Sequence, residues 1–498
     1  ENPLICRIER EYFELFKYIR LHGGAADYID EGVFEKYGKA ELGQIVVGNK
    51  KYDKIILNGN YNLRSVTLDA LKVFMKEGGT VILAGELPCY LDGERHDFSE
   101  DLKRAVNVGF NPEKVLGLIK SNDVTVSAED IISETRVFGE GRAYFFLNRS
   151  ENALDTTITI ESDLDPVEIN LSIGEKRPVC FERDGGKVVI KKRFEKDESL
   201  VLLMSGEKLT ARVFEERAAK FPEEFEFKLS EPNILPLDYA DCFLGSEFFA
   251  RGDVLEIDKK LRAKFGLEQR HGEMIQPWFK DKFYQKPQNL CRVTLKYKVN
   301  IAERISGAAF MTEDETAEIN INGNALKTDK FYGTEIDSCF RLIPVADEFL
   351  RLGENEITVS FDFNERYDIE GSFFIGNFGV YENDVIKKLP EKLNTGDFTV
   401  QGLQYYGGRI ALRSPLKNGI YRLIAGDLPC AACIINGRAA VFPPVDLNFD
   451  VTDGEMNITL AFVRQNTFGS TPKENGREGL IPQGLPDKTA LYELVDKK

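Results

Sequence analysis

Aromatic rings beside amides and cations are the residue types that can hold a sugar, because carbohydrate C–H faces stack on rings while hydroxyls exchange hydrogen bonds with Arg, Gln, Asn and Asp. One such cluster is QRHGEMIQPWFKDKFY, residues 269–284, which gathers Arg270, His271, Gln276 and Trp278, the single tryptophan of the chain. Gln401, Tyr405 and Tyr406 form a second. Trp278 follows Pro277 between an expected helix (258–266) and an expected strand (291–299), which places it in a surface loop. The alternative role for Trp278 and the tyrosines is packing against a β-sandwich. These seven residues are the candidate carbohydrate-binding positions, and the choice between the two roles stays open here.

Other chemistries find less to work with. Glycosidic hydrolysis takes two carboxyl groups roughly 5 to 9.5 Å apart, but among 82 acids a pair such as Asp362 and Glu365 can be picked freely, so no catalytic residue is singled out. Glu86 ends an expected parallel strand, where open sheets hold ligands, and Asp92 and His96 follow it. Cys89, however, lacks the Gly-x-Cys-x-Gly elbow of an amidotransferase-like nucleophile, so Glu86, Cys89 and His96 read as structural. The glycines of GEGR (139–142) and YYGGR (405–409) do not open a helix after a strand, as a phosphate-cradling loop does. Eight cysteines are spread singly apart from Cys430-Ala-Ala-Cys433, and His22, His96 and His271 are the only histidines. A zinc site needs four well-placed ligands, so the expectation is no metal, no cofactor and buried reduced thiols in a reducing, cytoplasmic compartment.

Charge narrows the partners. Lys plus Arg is 65 against 82 acids, a net charge of −17 with the acids scattered along the chain. Without long basic stripes, nucleic acid and anionic membrane are disfavoured and a neutral ligand fits better. At 42% hydrophobic and 30% charged residues the chain reads as globular, and no stretch is long and apolar enough to span a bilayer.

The elements that must position these residues change character along the chain. Residues 1–125 read as α/β: Tyr12, Leu15, Phe16 and Ile19 form a helical stripe closed by Gly23-Gly24, and KIILNGN (54–60), a helix capped by Ser65, and TVILAGE (80–86) make a parallel βαβ unit. Residues 126–206 switch to period two through five short strands, a small β-sandwich. The charged, proline-containing stretch within 207–232 reads as a connector. The remainder writes one pattern twice. AEININGNAL (317–326) and ACIINGRAAV (432–441) each put Asn-Gly after an alternating strand, 437 − 323 = 114 residues apart, and each is followed by Gly-Glu-x-x-Ile-Thr. Two related β-domains are expected, 233–389 and 390–498, with type I′ hairpins fixing the register.

The order of these motifs resembles the jelly-roll, galactose-binding-like sugar-binding domain of family 2 glycoside hydrolases and of large α-L-rhamnosidase-type enzymes. NILPLDYADCFL (233–244), FFIGNFGVY (373–381) and GDFTVQGLQYYGGRIAL (396–412) are similar to the C-terminal half of such proteins, and residues 52–85 resemble the flavodoxin-like domain that follows their catalytic barrel. The resemblance implies a multi-domain accessory portion: a flavodoxin-like α/β domain, a β-sandwich and two jelly rolls, with carbohydrate and the N-terminal catalytic barrel as partners. The barrel's acid and nucleophile have no counterpart positions here, and Glu1 without a leader suggests a fragment or processed chain. A free-standing carbohydrate-binding or scaffolding protein is the alternative, and an enzyme acting through the α/β domain a third.

Overall fold

The computed structural model describes residues 2–119, 123–139, 141–204, 206–209, 214–269, 287–314, 316–328, 336–426, 428–474 and 476–496. The chain is mostly β-sheet, with many small antiparallel sheets. It divides into two compact units, Glu1–Arg212 with Phe442–Pro444, and Val213–Val441 with Val445–Lys498. Among the described residues no helix is long and apolar enough to cross a membrane.

The first unit opens with the helix Pro3–Leu21. It starts earlier than the stripe at Tyr12 suggests, because Asn2 caps the Leu4 amide and Pro3 occupies the first turn, where its missing N–H has no cost. Leu15 and Ile19 turn inward, whereas Tyr12 stays partly exposed. Strands Lys54–Leu57 and Thr80–Leu83 run parallel in the register Lys54↔Thr80 to Leu57↔Leu83, with the helix Ser65–Lys76 as the crossover between them. Val106–Asn107 adds a third parallel strand. The crossover helix corrects the expected cap: its N-cap is Arg64, without a side-chain cap bond, and the Ser65 amide is instead bound by Asp92 Oδ1 at 3.1 Å.

Beyond residue 123 two antiparallel sheets of four and five strands face each other. They enclose Tyr144, Phe146, Ile158, Val188, Phe194 and Leu202, a sandwich core contributed by alternate residues of each strand.

The second unit holds two β-layered cores. In the first, the sheet Asn233–Leu237, Ser372–Gly376, Ala309–Thr312 and Arg341–Pro344 covers a larger sheet centred on Cys291–Ile301 and Gly353–Phe363. In the second, a four-stranded sheet faces a six-stranded one around Phe225, Leu412, Phe449, Ile458 and Leu460. The segment read as a connector is part of this second core. Phe214–Ala219 pairs with Ala490–Asp496, and Glu224–Leu229 pairs with Arg409–Pro415. Its charges masked the alternation, because Glu224, Glu226 and Lys228 face outward while Phe225 is fully buried.

The duplicated motif takes the same geometry twice. Ile321 pairs with Asn324 and Ile435 with Arg438 across two-residue turns. Both turn residues have positive φ, 51° and 84° at Asn322-Gly323, and 43° and 82° at Asn436-Gly437, the signature of the type I′ hairpin. Each asparagine then clasps the neighbouring strand: Asn322 Oδ1 accepts the Glu356 amide at 3.0 Å, and Asn436 Oδ1 accepts the Asn457 amide at 2.7 Å. Their amide nitrogens donate to backbone carbonyls, of Phe349 in one copy and of Asp450 and Glu455 in the other.

Candidate functional site

In the first unit the chain between two helices cannot continue as either. Gly23 leaves the helix Pro3–Leu21 at φ 75°, and Asp30 caps the helix Glu31–Tyr37 through the amides of Gly32 and Val33. The stretch between them, residues 24–30, is neither helix nor strand, and it lays Asp27 and Tyr28 along a cavity of about 1010 Å³.

One side of this cavity is aromatic. The ring of Tyr28 stacks on Tyr12 at 4.6 Å between centroids and on Phe16 at 4.6 Å, with interplanar angles of 24° and 29°. Tyr28 remains 52% exposed, so part of this platform faces solvent. The other side is polar. Asp27 Oδ2 accepts from Lys50 Nζ at 2.6 Å and from the Tyr52 hydroxyl at 2.8 Å. Arg20 and Arg136 both pair with Glu134. At the end of the strand Lys54–Leu57, Asn58 donates to the Glu11 carbonyl at 3.2 Å, whereas its Oδ1 is buried with no partner. Thr67 Oγ1, also on the lining, is likewise buried and unpartnered.

The electrostatics follow from these contacts. The Lys50 ammonium holds the Asp27 carboxyl below the usual aspartate range, against the opposing effect of partial burial. Burial first, and the Asp27 hydrogen bond second, push the Tyr52 phenol up to about 12. Tyr28 is raised as well, by burial and then by the Tyr12 hydroxyl. All three groups therefore keep one charge state across neutral pH: a carboxylate acceptor and two phenols that can donate.

Of the positions singled out from sequence, Arg270, His271, Gln276 and Trp278 lie outside the described residues. Gln401 is engaged internally: its amide nitrogen donates to the carbonyls of Asn394 and Asp397 at 3.0 and 3.1 Å, and its oxygen accepts the Asn394 amide at 2.8 Å. Tyr405 and Tyr406 are both 0% exposed, which is the packing alternative of the sequence reading. These consecutive rings enter different cores, Tyr405 the first of the second unit and Tyr406 the second. The Tyr405 hydroxyl donates to Asp384, its ring lies 5.6 Å from the Arg477 guanidinium, and Arg477 forks onto both oxygens of Asp238 at 2.5 and 2.6 Å. Tyr406 donates to the Arg409 carbonyl at 2.8 Å and accepts the Ser230 amide at 3.0 Å.

The α/β candidates are likewise engaged in pairs. Glu86 takes a bidentate fork from Arg7 at 2.9 and 2.8 Å, and His96 Nε2 meets Asp101 at 2.7 Å. Sequence reasoning missed Asp27, Tyr28, Lys50 and Tyr52 altogether. Tyr12 was visible only as a member of a helical stripe, and AADYID carries no motif. The one local signal is that Gly-Gly ends a helix shortly before an aspartate begins another, leaving an aromatic residue in the gap.

No family model matches the chain, and no curated protein matches it in sequence. Among solved structures it is similar to a rhamnosidase from Novosphingobium sp. PP1Y, with 17% identity over 68% of this chain and 32% of that one, at a TM-score of 0.32. It is also similar to an α-L-rhamnosidase from Streptomyces avermitilis, with 12% identity over 75% and 40% of the two chains and a TM-score of 0.22. A β-galactosidase from Bacillus circulans sp. alkalophilus matches at 9% identity over 40% and 38%, with a TM-score of 0.27. The chain spans between about a third and two fifths of the length of these three structures.

Proposed function

We propose that these residues form a non-catalytic accessory portion of a glycoside hydrolase, which binds carbohydrate and supports a catalytic barrel. In this reading the parallel βαβ region is a flavodoxin-like domain, and the two cores of the second unit are jelly-roll, galactose-binding-like domains in a cytoplasmic protein. The observation that carries it is the cavity of the first unit. There an aromatic platform stands beside a carboxylate, an ammonium, phenol hydroxyls and an amide, the set that holds a sugar by stacking one face and bonding its hydroxyls. The duplicated Asn-Gly clasp adds support for two β-domains of one design, in the order that the family resemblance implies.

Among the described residues the parallel strand pairings join Lys54–Leu57, Thr80–Leu83 and Val106–Asn107 in one sheet, Asn62–Leu63 with Tyr90–Leu91, and Cys291–Ile301 with Val385–Lys387, with one isolated parallel bridge at Val380 and Leu403. Eight parallel strands closed into a barrel are not formed by these residues. The test is to assay the 498-residue chain against aryl rhamnosides, galactosides and glucosides and, in parallel, on a glycan array. Binding without turnover is expected. Turnover that survives further purification and is lost on replacing a single carboxylate of this chain would overturn the accessory reading.

A further inference from the structure

The cavity of the first unit carries more than a generic affinity for sugar. Most of its cations are paired with acids, Lys50 with Asp27, Lys54 with Asp53, and Arg20 and Arg136 with Glu134, and among the described residues Lys51 is the cation of the lining without an ion pair. At the paired cations a carboxylate or sulfate on a ligand would have to displace a partner, and beside Lys50 the Asp27 carboxylate would repel it. Uncommitted acceptor capacity lies in two neutral groups, Asn58 Oδ1 and Thr67 Oγ1. Both oxygens are buried in the cavity wall, where a hydroxyl that reached them would donate and a carboxylate or sulfate group, having no proton to give, would not. Tyr28 stacks on both Tyr12 and Phe16 and is still 52% exposed, so its ring is held in place with area left for a ligand. The volume of about 1010 Å³ is at the upper end for small-molecule sites, which run to roughly 1,000 Å³.

From these observations we infer that the cavity bounded by Tyr28, Asp27 and Asn58 takes a neutral pyranoside together with an adjoining planar or apolar group, the latter lying on the Tyr28 face. This rests on the carbohydrate reading above and narrows it to one place and one ligand class. Asp27, held in position by Lys50 and Tyr52, is the fixed acceptor for ligand hydroxyls. Tyr28 is the stacking face.

Isothermal titration of the full chain with 4-nitrophenyl β-D-galactopyranoside, β-D-glucopyranoside, α-L-rhamnopyranoside and β-D-glucuronide tests it. At least one neutral glycoside should bind, and the glucuronide should bind at least tenfold more weakly. Tyr28→Ala should weaken the neutral ligand at least tenfold, and Asp27→Asn severalfold, while Tyr28→Phe, which keeps the ring, should stay within about threefold of the parent. Far-ultraviolet circular dichroism melts on each variant separate loss of the site from loss of the fold, and Tyr28→Phe provides the comparison if Tyr28→Ala unfolds. Unchanged affinity in both Tyr28→Ala and Asp27→Asn, with the parent still binding, would overturn the cavity and leave carbohydrate binding elsewhere on the chain. Failure of every glycoside to bind the parent would overturn the carbohydrate reading itself. Tighter binding of the glucuronide would overturn the neutral class.

Discussion

Two Asp–Tyr pairs, one in each unit, have similar local chemistry and opposite character. Asp27 and Asp384 each accept a hydrogen bond from a tyrosine hydroxyl, of Tyr52 and Tyr405 respectively. Asp27 is held low by Lys50, with roughly half of both side chains in solvent. Asp384 is pushed up by burial, which outweighs its Tyr405 bond and the nearby Arg477 charge. Around Asp384 the polar groups close on one another: Gln404 donates to Tyr405, Arg477 forks onto Asp238, and Ser470 takes a further bond from Arg477 at 2.6 Å. Around Asp27 there is open volume, an exposed aromatic face and two oxygens without partners. A polar cluster that satisfies itself holds structure together. One that leaves capacity beside a cavity is available to a ligand.

The contrast is breakable by mutation, and the largest effect is expected in the closed cluster. Arg477 is 3% exposed, so Arg477→Met strands the Asp238 carboxylate in the second unit and should cost about 3 to 5 kcal/mol in urea denaturation. Adding Asp238→Asn should restore part of that loss, because the uncompensated charge goes with it. A cost below about 1 kcal/mol would mean the cluster is not a structural clamp.

Next come the duplicated clasps, which calibrate what a satisfied polar residue is worth in this fold. Asn322→Ala and Asn436→Ala each forfeit a residue tolerant of positive φ and leave strand groups unpaired, so each should cost about 1 to 3 kcal/mol, with similar values for the two. A clear disagreement between them in denaturation midpoints would argue against the hairpins being equivalent.

The paired removal of the two phenol hydroxyls should give a difference between the units rather than two equal losses. Tyr405→Phe removes a bond from a buried carboxyl and should cost about 1 to 3 kcal/mol, whereas Tyr52→Phe, beside an exposed carboxylate that keeps Lys50, should cost under about 1 kcal/mol. Equal costs would erase the distinction between closed and open clusters.

The last expected difference is in pH dependence. Asp384 binds its proton more tightly folded than unfolded, so the stability this adds is present at low pH and is lost as pH rises through the folded value. Asp27 binds its proton less tightly when folded, so its contribution is present above the unfolded value, about 3.9, and is lost as pH falls through the folded one. Denaturation midpoints from about pH 3 to about pH 7 should therefore show Asp384→Asn flattening a decline towards neutral pH and Asp27→Asn flattening a decline towards acid. The same sign for both would contradict the assignment of burial to one and Lys50 to the other.

Much of the scaffold was legible because its signals are local. Period-two alternation from Tyr144 to Met204, the β-strand runs on either side of Ser65–Lys76 and both Asn-Gly turns need only neighbouring residues to specify them. Phe214–Ala219 was not legible, since only its partner Ala490–Asp496, far along the chain, makes it a strand. The site was less readable still. Tyr405 and Tyr406 look like a binding pair in sequence, and burial is a tertiary property that gave each to a different core. Tyr12, Tyr28 and Tyr52 share one cavity only after a helix, an extended segment and a strand have come together.

The most direct measurement compares the two clusters in one spectrum. With the rings of the 18 tyrosines carbon-13 labelled and assigned by Tyr→Phe variants, the full chain is titrated with a binding 4-nitrophenyl glycoside. The resonances of Tyr12, Tyr28 and Tyr52 should shift and saturate together, while those of Tyr405 and Tyr406 stay in place. Saturable shifts at Tyr405 and Tyr406, with Tyr28 unmoved, would contradict the account.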